Sequence, residues 1–301
     1  MKVIKVSPRG YCKGVVRAIN LVKEARNTYD GPIYILGLIV HNTFVKAALE
    51  EYHIITLDTS KKSKESYLNE INEGIIIFTA HGVSKKIYEL ANKPNVKYID
   101  ASCLDVLKTQ QLIKCKHDEG YTILYIGKKN HPEADAVFES FENIHLIHSK
   151  ADLDLLPNNL DKVYITNQTT MSIYDTKELI EFIKNKYPKA EFDLEICDAT
   201  KIRQEAIMQV EADVLLVVGD KLSNNSNKLL ELNKNIERKH LINCVSDIEL
   251  TWFNATDTVA ITSGASTPTY LTNQVINYVE KLELDNPTTH EKPIVEISKI
   301  L

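Results

Sequence analysis

The chain has 301 residues, 44% of them apolar and 26% charged, and carries a formal net charge of -5. That is enough apolar material to bury a core without disulfides, and the acidic balance with no basic stripe argues against nucleic acid as a partner. No apolar stretch approaches the length of a membrane span, no leader-like segment precedes the first strand, and five dispersed cysteines fit a reducing compartment. A cytoplasmic protein with no membrane association is expected.

Taken in chain order, the apolar run MKVIKV predicts a first strand, followed at Cys12 by a helical pattern over 13–27. Short apolar runs at 33–40 and 75–80 predict two further strands. The run VKYID then leads to Cys103 and a helical pattern over 105–118. Runs at 122–127 and 163–166, with a helix over 173–186, lead to FDLEI, Cys197 and a helix over 201–212. Runs at 214–219 and 258–263 complete the series. Continuous apolar runs alternating with helices predict parallel α/β layers.

The series repeats. Cys103 follows Cys12 by 91 residues and Cys197 follows Cys103 by 94, each where a strand-like run gives way to a helix-like one. Two more registers accompany the cysteines. His41, His131 and Asn225 lie 29, 28 and 28 residues after their cysteines, and His81, Thr169 and Ser266 lie 69, 66 and 69 after theirs. Self-similarity of this length predicts three similar α/β units around a pseudo-threefold axis. Their bounds are expected at 1–97, 98–193 and 194–283, with a tail over 284–301 that folds back. Binding residues in such sheets gather at the carboxyl ends of strands, where all nine register positions fall.

A thiol at a helix N-terminus is favoured as thiolate, hence as metal ligand or nucleophile. Structural zinc sites use close cysteine pairs, which this chain lacks, so three distant cysteines suit an iron–sulfur cluster better. A cubane held by three cysteines keeps one iron open for a substrate oxygen. Cys115 and Cys244 match no register and read as ordinary thiols. His41, His81, Ser223, Asn225 and Ser266 are donors suited to an anion with several oxygens, such as a diphosphate. No Walker or G-x-G-x-x-G motif points to a nucleotide. Glu133, in the run NHPE, reads either as a general acid of raised pKa, with Thr169 passing on its proton, or as a cap of the following helix.

The segments GYCKGV (10–15), IVHN (39–42), TAHGVS (79–84), DASC (100–103), HPE (131–133), QTTMS (168–172), ICDAT with RQEA (196–206), SNNSN (223–227) and GAS with Pro268 together resemble the 4-hydroxy-3-methylbut-2-enyl diphosphate reductase family. The resemblance spans nearly the whole chain. It implies a three-unit α/β fold enclosing a central 4Fe–4S cluster, one per chain, held by Cys12, Cys103 and Cys197 with one iron lacking a protein ligand. It implies reductive removal of the substrate's allylic hydroxyl as water, giving isopentenyl and dimethylallyl diphosphate, with reduced ferredoxin or flavodoxin as electron donor. The family pattern maps the diphosphate onto His41, His81, Ser223, Asn225 and Ser266, with His131 lining the pocket, Asn224 standing where serine is usual, and Glu133 and Thr169 as the proton relay. Leu104 follows the second cysteine where proline is usual, and Ala134–Glu139 lacks the family's glycine, a loss that can forbid positive φ and reshape a turn. Quinolinate synthase, a three-unit cluster dehydratase, and a non-catalytic iron–sulfur sensor derived from the reductase are the competing readings.

Overall fold

The apolar runs become buried strands: Gly74–Phe78, Val163–Asn167 and Val214–Val218 are buried at every residue. The computed structural model describes residues 1–301, which form twelve strands. These are β1 (Lys2–Lys5), β2 (Ile33–Leu36), β3 (Ile54–Leu57), β4 (Gly74–Phe78), β5 (Val96–Asp100), β6 (Thr122–Ile126), β7 (Ile144–Ile147), β8 (Val163–Asn167), β9 (Glu191–Phe192), β10 (Val214–Val218), β11 (Arg238–Ile242) and β12 (Thr258–Ser263). The helices are α1 (Lys13–Thr28), α2 (Thr43–Glu51), α3 (Lys64–Glu70), α4 (Lys85–Ala91), α5 (Leu104–Asp118), α6 (Pro132–Phe138), α7 (Lys150–Asp154), α8 (Ile173–Lys186), α9 (Asp198–Met208), α10 (Asn224–Leu232) and α11 (Thr269–Lys281), with four short 3-10 turns besides. No helix is long and apolar enough to cross a membrane.

The strands make three four-stranded parallel sheets, ordered β3-β2-β4-β5, β7-β6-β8-β9 and β11-β10-β12-β1. The three orders are the same pattern. In each, the last strand is the one that leads to a cysteine, and it adds to the edge of a sheet built from residues of the repeat before it. For β1 that sheet is the C-terminal one, where Lys2 pairs with Thr258 and Lys5 with Ile261.

The chain divides into two compact units. One contains Met1–Val16, Val40–His53 and Asp198–Leu301 and holds the sheet of β1, β10, β11 and β12; the other contains Arg17–Ile39 and Ile54–Cys197 and holds the remaining two sheets. In the latter, the pleat sends Leu124 and Ile126 to one side of the β6 sheet, against Ile165, Ile180 and Ile183. Ile123 and Tyr125 go to the other side, against Ala134, Val137 and Tyr164. Both faces are covered, as the unbroken apolar runs require. In the former unit, Leu215, Val217 and Ala260 pack against Ile207 and Leu229.

A lysine caps the turn that follows β3, β7 and β11, one edge strand of each sheet. Lys93 donates to the carbonyl oxygens of Leu68 and Ile71, Lys186 to those of Leu153 and Leu156, and Lys292 to those of Ser246 and Ile248. Lys292 belongs to the tail, which folds back on the unit that contains it. There Tyr278 Oη donates to His290 O, Gln274 Nε2 to Ile294 O and Tyr11 Oη to Ile300 O, and Ile300 is buried. The glycine-free stretch after Glu133 lies in helix α6, opened by Pro132, and just before that helix Asn130 is left-handed (φ 60°).

Candidate active site

Each register position lies where a strand hands over to a helix. Cys103 is the N-cap of α5, Cys12 immediately precedes α1 and Cys197 immediately precedes α9. The cysteine backbone is fixed in the same way each time: Cys12 N–H donates to Ala265 O (3.0 Å), Cys103 N–H to Ala80 O (2.9 Å) and Cys197 N–H to Thr169 O (3.1 Å). This match aligns Thr169 with Ala80 and Ala265, so the position equivalent to His81 and Ser266 is Thr170, one residue beyond that read from spacing alone. None of the three is in a disulfide and all are half-buried, Cys103 Sγ lying 3.9 Å from Asp105 Oδ2, whereas Cys115 is exposed and Cys244 is buried with Sγ 2.9 Å from Ser246 Oγ. No three His, Cys, Asp or Glu side chains are grouped to hold a single metal ion.

Within the unit of the β2 and β6 sheets, four predicted residues come together. His131 is the N-cap of α6, and its Nδ1 accepts the Glu133 N–H (3.3 Å), which in the neutral ring leaves Nε2 as the N–H donor. The rings of His81 and His131 meet edge to face at 5.7 Å, and His81 Nδ1 lies 3.2 Å from Thr79 Oγ1. Glu133 is only 2% exposed. Its carboxylate does not cap its own helix. Oε1 accepts Thr169 N–H at 2.8 Å, Oε2 accepts the Thr169 hydroxyl at 3.0 Å, and Tyr125 Oη reaches Oε1 at 3.5 Å. Burial pushes the carboxyl up to about 7, outweighing these donors, which act in the opposite sense; Asp105 adds a small push upward.

Within the other unit a second set forms. Ser223 is the N-cap of α10, Ser266 Oγ donates to His41 O (3.2 Å) and Ser266 and Ser223 hydroxyls lie 3.3 Å apart. Asn225 Oδ1 accepts the Ala265 N–H at 3.1 Å and its Nδ2 donates to Thr200 Oγ1 at 3.3 Å. Asn224 is buried in the first turn of α10. Asp220 accepts the Leu222 and Thr43 N–H groups and so ties the loop before α10 to the start of α2. Gly10 (φ 78°) brings its N–H to 2.7 Å from Ser263 Oγ, and a Cβ there would lie 2.3 Å from Thr269 Oγ1. This set is rich in hydroxyl, amide and helix N-terminal donors, the chemistry of an anion site.

Sequence reasoning missed Tyr125, Thr79, Thr200 and Asp220. Thr79, two residues before His81, and Asp220, three before Ser223, could have been found by scanning each strand end for a polar neighbour. Tyr125 had no such signal, since a tyrosine inside TILYI reads as core.

Residues 3–280 match the family model described as LytB protein. The chain is 47% identical over 309 residues to the 4-hydroxy-3-methylbut-2-enyl diphosphate reductase of Bacillus cytotoxicus, covering 100% of this chain and 98% of that protein. It is 46% identical to the enzyme of the same name from Bacillus pumilus, with the same coverage. Among solved structures, the E-1-hydroxy-2-methyl-but-2-enyl-4-diphosphate reductase of Plasmodium falciparum superposes with a TM-score of 0.88 at 33% identity, covering 94% of this chain and 89% of that one. A second, (E)-4-hydroxy-3-methyl-but-2-enyl diphosphate reductase, described as the terminal enzyme of the non-mevalonate pathway, gives 0.68 at 27% identity, covering 94% of this chain and all of that one. With the match running almost from end to end and the three sheets shared, the chain belongs to the LytB protein family.

Proposed function

We propose that this chain is an enzyme that reduces 4-hydroxy-3-methylbut-2-enyl diphosphate to isopentenyl and dimethylallyl diphosphate, the last step of the non-mevalonate isoprenoid route. The observation that carries the reading is the buried Glu133–Thr169 pair beside His131, in a chain whose full-length relatives bear this enzyme's name. Two electrons and two protons enter; the allylic C–O bond breaks, a C–H bond forms and the hydroxyl leaves as water.

The donor set fits an iron–sulfur group. Cys12, Cys103 and Cys197 stand at the starts of three helices, none of them in a disulfide, and a cluster spreads its ligands around a core instead of closing them on one ion. When bound, a 4Fe–4S cluster on these three cysteines supplies the electrons and, at an iron without a protein ligand, a Lewis-acid position. A reduced ferredoxin or flavodoxin in the cytoplasm is the partner that replenishes the electrons.

The protein's own residues do the rest. Glu133, protonated near neutral pH, holds a proton on a carboxyl that solvent does not reach, and the Thr169 hydroxyl at 3.0 Å provides its path to the departing oxygen. His41, Ser223, Asn224, Asn225 and Ser266 receive the diphosphate, joined by the N–H groups at the start of α10. His81 and His131 extend that donor set, with His131 held in one tautomer by Glu133 N–H.

The protein purified without oxygen should be brown, with iron and sulfide each at about four per chain, and should turn over the hydroxylated diphosphate with a chemically reduced donor. A colourless protein after careful reconstitution, or a brown one that leaves the substrate unchanged, defeats the reading.

A further inference from the structure

Each cysteine segment is fastened by a cation from the helix that begins at a different cysteine. Arg17 on α1, five residues after Cys12, donates through Nη1 to Ser102 O (2.8 Å) and through Nη2 to Asp100 O (3.3 Å), just before Cys103. Lys108 on α5, five residues after Cys103, places Nζ 3.1 Å from Oε1 of Glu195, two residues before Cys197. Arg203 on α9, six residues after Cys197, donates through Nη2 to Gly10 O (2.7 Å), two residues before Cys12, and through Nη1 to Ala199 O (2.9 Å). Every one of these contacts is internal to one compact unit. Apart from the Arg203–Ala199 bond, which stays within α9, their order is cyclic: first helix to second cysteine, second to third, third to first.

The device differs from the lysine caps at Lys93, Lys186 and Lys292. Those end on turns far along the chain from Cys12, Cys103 and Cys197 and secure the layers. The cyclic contacts all end within three residues of a thiol. They also end away from the sulfur itself: the two arginines grip main-chain oxygens, which fixes the course of the segment. Arg203 is only 4% exposed, and a guanidinium buried on carbonyl oxygens is a commitment that a surface cation does not make.

We infer that Arg17, Lys108 and Arg203 are positioning residues that preset the three thiol segments for one shared iron–sulfur group, each acting on the cysteine that follows in the cycle and not on the cysteine of its own helix. The inference rests on the ligand reading given above. The three are unequal. Lys108 Nζ sits on a side chain that is 70% exposed, where an ion pair contributes little, so the two arginines dominate.

The test is cysteine-resolved alkylation of the full-length apoprotein, kept reduced and anaerobic, with iodoacetamide and peptide mass spectrometry. Arg17→Ala should speed modification of Cys103 by about tenfold, the size expected for losing a hydrogen bond from a charged donor, and leave Cys12 and Cys197 within about twofold. Arg203→Ala should do the same to Cys12 alone, while Lys108→Ala should move Cys197 by less than about threefold. Arg17→Lys and Arg203→Lys, which keep a charge but lose the fork, should fall between parent and alanine variant. Buried Cys244 reports general loosening. If Cys244 and all three thiols quicken together, if the cysteine of the variant's own helix responds, or if none does, the inference is overturned. Parent protein that takes up about four irons without showing the crossed pattern sinks the inference alone. Parent protein that takes up none sinks the ligand reading, and with it the purpose assigned to the three cations.

Discussion

Replacing Glu133 by glutamine separates the two consequences of burying a carboxyl group. The rise from the ordinary 4.5 to about 7 corresponds, at 1.36 kcal/mol per pH unit, to about 3 kcal/mol of disfavour for the charged form in the folded protein. Below about pH 4.5 both folded and unfolded chains carry the proton and the site costs nothing. Between pH 4.5 and 7 the folded chain keeps a proton that the unfolded chain releases, so stability falls as pH rises; above 7 the whole penalty is present. Glutamine has no such dependence. Its amide oxygen can still accept Thr169 N–H, while the Thr169 hydroxyl must turn from donor to acceptor. Allowing about 1 kcal/mol for that rearrangement, Glu133→Gln should be about 2 kcal/mol more stable than the parent at pH 8 and no more stable at pH 5. Turnover should fall by about 10²–10⁴-fold, the usual worth of a positioned acid, with a much smaller change in KM. Urea unfolding at the two pH values and anaerobic steady-state kinetics measure both. Identical pH slopes for parent and variant would show that burial does not hold the proton on Glu133, and undiminished turnover would remove its role as acid.

Tyr125→Phe deletes a donor that acts to lower the Glu133 pKa, so the alkaline limb of the kcat profile should move to higher pH, with little change in KM; a shift to lower pH would contradict the hydrogen bond at 3.5 Å. Lys292→Ala strands two carbonyl oxygens and frees part of the tail, and should lower unfolding free energy by about 2 kcal/mol while hydrogen exchange quickens over 245–248 and 287–300; unchanged exchange there would show that the tail is held by other contacts.

The central strands were legible because burial on both faces leaves an unbroken apolar run, as in VLLVV and IIIF. β3, β7 and β11 were not, because a strand such as IHLI is short and only half-buried and carries no such run. Helix α9 begins at Asp198 and ends at Met208, three residues before the expected start and four before the expected end, since Val210 already belongs to the approach to β10. Spacing located the strand–helix junctions but not the backbone equivalence within them: Thr169, read as the partner of His81, matches Ala80 by its carbonyl bond to the cysteine. Glu133 could be singled out, yet its direction could not. Whether it capped α6 or crossed to Thr169 depended on the path of residues 36 positions away. Tyr125 is hidden for the same reason, because the face of β6 on which it stands is decided by pairing with β7 and β8.

The pairing of Lys2–Lys5 with Thr258–Ile261 bears on how the polypeptide is made. Its partners are 256 residues apart, against 22 for Gly74 and Val96, and closing the longer loop costs about 2 kcal/mol more in chain entropy. On the ribosome the earliest strand emerges long before anything it can pair with. Its neighbour Cys12 therefore waits, untethered, while Cys103 and Cys197 settle into segments whose supports are already translated. Of these three thiols, the first to be translated is the last to be ready.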